Sequence, residues 1–362
     1  MHRLFVVCAP GLTKVLSGEM GAPATAGGVE IEGDLREAAR LNLTLRTATR
    51  VLLRLGELRA TTFAELVKKA QKLPFDLCLR KGDPVALRVA CHKSRLYHSG
   101  AVAQRLREAI GERLGKPPPE ATANEDEADP PQLLLARFDR DVCTVSADTS
   151  GALLHRRGYR LSQAHAPLRE TLAAAMLLAA GYDGSAPVLD PLCGSGTIAI
   201  EAALIARRRA PGIARSFALE RWPGFDAAML GKLRDEARAR EIEKEPHPVA
   251  ASDADPAAVR AARENAKRAG VDLRIEERPL REVRLDPGAG LIVTNPPYGV
   301  RVSADLTRLY ADLGDLARRS GRRLAVLAAD RRIAAAAKLG FETAFRTQNG
   351  GIRVELLTGS VK

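Results

Sequence analysis

The spacing of apolar positions divides the chain into two regimes. In the first, Leu4 to Ala9 and Gly28 to Ile31 read as strands, and Leu35 to Leu45 repeats at helical spacing. Pro84 to Ala90 alternates like another strand, while Val102, Leu106, Ile110 and Leu114 mark one face of a helix over 101–114. The string LLLARFDRDVCTVSAD predicts a strand, a tight turn at Asp139 to Asp141, and a second strand. Just before it, residues 116–132 read KPPPEATANEDEADPPQ, too acidic and too rich in proline to bury anything, and therefore a loop. The hairpin after the loop is expected to return to a sheet begun before it, so this half is α+β.

From Val188 onward, short strands alternate with helices. Val188 to Asp190, Val249 to Asp253, Leu273 to Glu276, Leu291 to Asn295 and Leu324 to Ala329 are the strands. Helical stretches at Thr197 to Arg208, Pro256 to Ala269, Asp305 to Arg319 and Arg331 to Leu339 separate them, the grammar of a doubly wound parallel sheet. The chain closes on Phe341 to Thr347, then Asn349, Gly350 and Gly351, then Ile352 to Leu357, an antiparallel hairpin with a turn that tolerates positive φ.

Composition narrows the class. At 362 residues the chain exceeds one ordinary core, and 46% hydrophobic with 28% charged residues suits folded domains. The longest apolar stretch, Leu172 to Tyr182, is too short to cross a bilayer. The N-terminus reads as a first strand rather than a leader, so a cytoplasmic protein without membrane partners is expected. Five scattered cysteines form no C-x-x-C pair, which argues against both a disulfide framework and a metal site. Net charge is +12, with +8 over residues 1–115, −4 over 116–132 and +8 over 133–362. Two separately basic parts point to a polyanion as partner.

Candidate chemistry gathers at two strings. VLDPLCGSGTIAIEAALI (188–205) sets a glycine loop between a strand and a helix, where Gly194 and Gly196 let backbone approach a ligand and Asp190 accepts hydrogen bonds at the strand end. Its G-x-G-x-x-A spacing also fits a dinucleotide loop, but the acid that pattern wants about 20 residues on is replaced by Arg215 and Ser216. Asp253 is the first acid to end a following strand, placed to hold both hydroxyls of a ribose. In LIVTNPPYGVR (291–301) a strand ends in Asn295, two prolines stiffen the exit, and Tyr298 is offered at the carboxyl edge of the sheet.

DPLCGSGT with NPPYG resembles the class I S-adenosylmethionine-dependent methyltransferases that modify exocyclic or amide nitrogens. KSRLYHSGAVAQRL (93–106), DTSGALLHRRGYR (148–160) and APLRETLAAAML (166–177) resemble the THUMP-containing RNA guanine-N(2) methyltransferases, in pattern the bacterial enzymes of 23S ribosomal RNA. RSFALERWPGFD (215–226) and the terminal NGGIRVELLTG extend the resemblance over nearly the whole chain.

The resemblance implies a ferredoxin-like region at 1–55, a THUMP domain at 56–150, a linker with leading helix at 151–182 and a catalytic domain at 183–362. It implies S-adenosylmethionine as cofactor, held by Asp190, Cys193, Gly194, Ser195, Gly196, Thr197 and Asp253, and no metal. An exocyclic amine is a poor nucleophile because its lone pair is delocalised into the ring. Asn295 and the Pro296 carbonyl are expected to accept its hydrogens, with Tyr298 stacking on a flipped base. Cys193 is expected to be merely small, not a nucleophile. RNA is the implied partner, ribosomal RNA favoured and transfer RNA the nearest rival; adenine in RNA and a catalytically silent RNA-binding protein are further alternatives. Lys93, Arg95, His98, Arg156, Arg157 and Arg160 are candidate RNA contacts. The adenine-touching acid common after the third strand is replaced by Pro279, with Glu277 nearby, and Trp222 in the long insert is expected to be core.

Overall fold

β-Branched and leucine-rich segments in the N-terminal half pair into one mixed sheet. Its strands are β1 (His2–Cys8), β2 (Ala24–Thr25), β3 (Gly28–Gly33), β4 (Ala48–Arg59), β5 (Val85–His92), β6 (Gln132–Asp139) and β7 (Val142–Asp148), in the order β2-β3-β1-β4-β7-β6-β5. The computed structural model describes residues 1–124, 127, 129–160, 168–298 and 304–360. Met1–Val7, Ala22–Leu154 and Arg215–Asp235 form one unit; Cys8–Gly21, His155–Ala214 and Glu236–Lys362 form the other.

In the first unit the turn between β6 and β7 is made by Arg140 and Asp141, at φ +50 and +64, the two-residue conformation that suits the twist of a hairpin. The strand after the acidic loop does rejoin the sheet, since β6 lies parallel to β5 across eight registered pairs from Val85↔Gln132 to His92↔Asp139. The boundary expected at residue 55 falls inside the 12-residue β4, whose pairing with β7 runs from Leu52 to Arg59 with a register shift between Arg54 and Gly56. The ferredoxin-like region and the segment up to residue 150 therefore share one continuous sheet. Residues Arg215–Asp235, expected inside the catalytic domain, belong to this first unit. Trp222 is 2% exposed and its indole Nε1 donates to Gln132 Oε1 at 2.8 Å, a core residue with its polar edge satisfied, as expected.

The second unit carries β8 (Val188–Asp190), β9 (Val249–Asp253), β10 (Arg274–Glu277), β11 (Leu291–Thr294), β12 (Arg323–Ala328), β13 (Gly340–Asn349) and β14 (Ile352–Ser360). Their order is β10-β9-β8-β11-β12-β14-β13; the first five are parallel and the terminal hairpin joins antiparallel to β12, as its sequence predicts. Ile292, Leu313, Leu324, Val326 and Leu357 are fully buried in one core between sheet and helices. Chain order reverses at β8, which lies between β9 and β11, so the crevice beyond their carboxyl ends is where such a sheet receives a ligand. One expected helix breaks up: 331–339 becomes a helical turn, Arg331–Ala334, and a 3₁₀ turn, Ala335–Ala337. Among the described residues no helix is long and apolar enough to cross a membrane.

Candidate functional site

The loop after β8 enters the helix Thr197–Ala206 through Gly196, the residue that caps it at φ +82. Every residue of that helix is buried, so its position is set by packing on all sides. Asp190, 1% exposed, accepts at Oδ1 from Thr294 Oγ1 at 2.7 Å and from the Leu192 N–H at 3.2 Å. It thus latches the end of β8 to the end of β11. Burial, helped by the nearby charge of Asp253 and opposed by those two hydrogen bonds, lifts the Asp190 carboxyl pKa to about 7. Asp253, at the end of β9, accepts the Gly194 N–H at 2.8 Å with one oxygen and the Asp255 N–H at 3.0 Å with the other. It orders the glycine loop as well as facing the crevice edge.

The two loop glycines have different tasks. A Cβ on Gly194, at φ +50, would meet nothing within 4 Å, so this residue borders open space. On Gly196 it would lie 3.0 Å from the Ala262 Cβ, so the lack of a side chain here also admits the neighbouring helix Pro256–Ala269. The Ser195 carbonyl accepts from Asn265 Nδ2 at 3.0 Å, and Thr197 Oγ1 accepts from Arg160 Nη2 at 2.7 Å. Cys193 is buried, and burial with the adjacent Asp190 and Asp253 pushes its thiol pKa well above the ordinary range, which leaves it a poor nucleophile. Glu277 is exposed and registers with Asp253 across β9 and β10, one step along the same edge.

The second string stands beside the first because β11 pairs with β8. All four β11 residues are buried; Asn295 follows, then buried Pro296, exposed Pro297 and half-buried Tyr298. Among the described residues the buried Asn295 Oδ1 has no hydrogen-bond partner, an acceptor left open where the strand ends. Burial raises the Tyr298 hydroxyl pKa, while hydrogen bonds from the Asn349 and Asn295 side chains draw it back. The Asn349 Nδ2 donates to that hydroxyl, a contact the sequence did not announce.

The basic candidates fall into two groups. In the first unit Lys93, Arg95 and His98 are exposed. Their loop is pinned to the β6–β7 turn: the Arg95 N–H donates to Asp141 Oδ1 at 2.7 Å and the Asp141 N–H to Ser94 Oγ at 3.0 Å. His98 Nδ1 accepts the Ala101 N–H at 3.1 Å, so part of its role is to cap the helix Ser99–Leu114. Among them Tyr97 is 80% exposed, an open aromatic ring between Arg95 and His98 that was not among the expected site residues.

In the second unit Arg157 and Arg160 do not meet the expectation of an RNA grip. Arg157 is 6% exposed with Nε 3.6 Å from Glu201 Oε1, which also accepts from Tyr159 Oη at 3.1 Å. Arg160 donates to Thr197 Oγ1 and to the Leu168 carbonyl, each at 2.7 Å, and lies 3.7 Å from Glu170. Two buried carboxylates on neighbouring helices turn these guanidinium groups inward, beneath the glycine-loop helix. Arg156 is half-buried.

Residues 157–356 match the family described as RMKL-like, methyltransferase domain, and residues 3–52 match the RlmL ferredoxin-like domain. The ribosomal RNA large subunit methyltransferase K/L of Syntrophotalea carbinolica is 34% identical over 379 residues, covering 98% of this chain and 53% of the relative. The chain thus spans about half the length of that relative. A Synechocystis sp. protein named as an RNA methyltransferase is 31% identical over 361 residues, covering 98% of this chain and 93% of the relative. Among solved structures, SMU.472, described as a methyltransferase complexed with SAH, aligns with a TM-score of 0.88 at 27% identity, covering 100% of this chain and 98% of the other. The matched span takes in the glycine loop, Asp253 and the Asn295–Tyr298 string, and makes up more than half of the chain. The chain belongs to the RMKL-like methyltransferase domain family.

Proposed function

We propose that the chain transfers the methyl group of S-adenosylmethionine to the exocyclic amine of a guanosine in RNA, with 23S ribosomal RNA the substrate. The observation that carries this reading is the buried Asn295 Oδ1, which has no hydrogen-bond partner among the described residues. A buried acceptor without a donor is costly, and an amine hydrogen of the substrate is a donor of the right size and polarity. The residues present also fit the cofactor: Gly194 borders open space, since a Cβ there would meet no protein atom within 4 Å. Gly194, Ser195 and the first turn from Thr197 would hold its polar tail, and Asp253 its ribose hydroxyls. Bound there, S-adenosylmethionine supplies a methyl group activated by the sulfonium charge.

The chain's own part is positioning. Asn295 Oδ1 holds one amine hydrogen, which restrains the nitrogen and returns lone-pair density to it. The proline pair keeps the strand exit stiff, so Asn295 and Tyr298 keep their spacing when a base enters. Tyr298 offers an aromatic face for stacking. Because the donor already carries positive charge, alignment matters more than a strong base. In the first unit Lys93, Arg95 and Tyr97 combine charge with an aromatic surface, the chemistry of RNA capture. On the same reading residues 56–150 form a THUMP domain.

Nucleoside mapping of ribosomal and transfer RNA from a deletion strain tests the substrate. One N2-methylguanosine in 23S RNA should vanish, return with the wild-type gene, and fail to return with Asn295→Ala. Loss of a transfer RNA guanosine or of an N6-methyladenosine instead would overturn the assignment. In vitro, Asn295→Ala should slow single-turnover methylation on the order of 100-fold while cofactor affinity stays within a few-fold.

A further inference from the structure

The terminal hairpin has no part in the chemistry above, yet its tip reaches it. β13 alternates along its last residues: Thr347 and Asn349 are 7% and 8% exposed, whereas Arg346 and Gln348 are exposed. Two polar residues therefore face inward where a strand of this kind ordinarily places apolar ones, a cost unless each finds a partner. Both do. Thr347 Oγ1 donates to the Pro10 carbonyl at 2.7 Å, and Asn349 Nδ2 donates to the Tyr298 hydroxyl. Next to Pro10, Gly11 stands at φ +85, and a Cβ there would come within 1.7 Å of the Arg346 carbonyl oxygen. Residues 10–11 thus lie directly against the backbone of β13 and fix its end.

Nor does the turn itself require asparagine at 349. The positive φ angles are carried by Gly350 and Gly351, at +55 and +81, and Asn349 is not among the residues with positive φ. Its side chain is accounted for by Tyr298.

We propose that Asn349 is a positioning residue for Tyr298: its amide holds the hydroxyl, so the ring keeps one orientation and the Asn295 amide beside it keeps Oδ1 turned outward as a free acceptor. The Thr347–Pro10 contact anchors the strand from which Asn349 acts. Because the phenol oxygen accepts from Asn349, its position is fixed before any base arrives, and stacking need not order the ring. This rests on the reading that Asn295 and Tyr298 receive the substrate base.

The test uses the full chain labelled with 3-fluorotyrosine and saturated with S-adenosylhomocysteine, observed by fluorine NMR. Tyr298→Phe identifies the Tyr298 resonance among the five tyrosines. Asn349→Ala and Asn349→Asp, the second preserving volume while removing the N–H donor, should each shift that resonance and leave the others in place. An unmoved Tyr298 resonance in both variants overturns the proposal. In methylation assays each variant should lower kcat about tenfold, with little change in KM for the cofactor, equivalent to about 1.4 kcal/mol. Adding Asn349→Ala to Tyr298→Phe should cost nothing further; multiplying losses would also overturn it. A wild-type chain that methylates no guanosine defeats the functional reading, while the resonance shift still decides the contact.

Discussion

Asp190 joins two strands through a carboxyl group that burial makes reluctant to ionise, and Asp190→Asn isolates the consequence. The ordinary carboxyl pKa of 3.8 rises to about 7 in the folded chain. Between those values the unfolded chain has lost the proton and the native chain retains it, so this group's contribution to stability falls as pH rises from about 4 to 7 and is flat above. At about 1.4 kcal/mol per pH unit the whole window is worth roughly 4 kcal/mol. Asparagine keeps an acceptor for Thr294 and Leu192 but cannot ionise. Equilibrium urea unfolding of both proteins at pH 5, 6, 7 and 8 should show the variant gaining on wild type by about 1.4 kcal/mol per unit from pH 5 to 7, then no more. Other titrating groups cancel in the difference. A constant gap across the series would refute the reasoning. Repeating the series with S-adenosylmethionine, whose positive charges favour the ionised carboxylate, should reduce the slope.

Gly194→Val should cost the cofactor affinity at least tenfold by calorimetry, because its side chain enters open space, whereas Gly196→Val should lower thermal stability by driving into Ala262. Glu201→Ala strips the counter-charge from Arg157, whose side chain is 3% exposed, and should destabilise the fold by roughly 3 kcal/mol in denaturant titrations. Reversing Lys93 and Arg95 to glutamate should weaken RNA binding and flatten its salt dependence, while leaving cofactor affinity untouched; Tyr97→Ala should weaken RNA binding by roughly 1–3 kcal/mol.

What could be read from sequence was local. The strand, glycine loop and helix at 188–206 and the closing hairpin are specified by residues within a turn or two of one another, and both stand where periodicity put them. Contacts across the chain were not readable. Asp190 meets Thr294 across 104 positions, and Asn349 meets Tyr298 across 51. Arg157 and Arg160 resembled a solvent-facing basic cluster because nothing nearby in sequence shows that Glu170 and Glu201 project toward them. Gly196 satisfied a ligand-loop pattern while serving helix packing, since both tasks select against a side chain. Nothing in the local sequence shows that β4 runs through residue 55 as one strand of 12 residues, with a register shift between Arg54 and Gly56.

The path of the chain has a consequence for how the protein is made. It passes from one unit to the other after Val7, Gly21, Leu154, Ala214 and Asp235, so neither unit is a contiguous stretch of polypeptide. A ribosome that has released residues 1–154 has delivered the first sheet without Phe217, Leu219 and Trp222, all buried in the finished unit. Gln132 waits for its indole partner until the chain has grown by 90 residues more. Folding of the first unit is therefore completed only after the glycine loop has been synthesised, and maturation of the two units is coupled in time. A cut at any single site leaves one of them lacking part of its core, so the protein should resist the module shuffling to which bead-on-string domains are open.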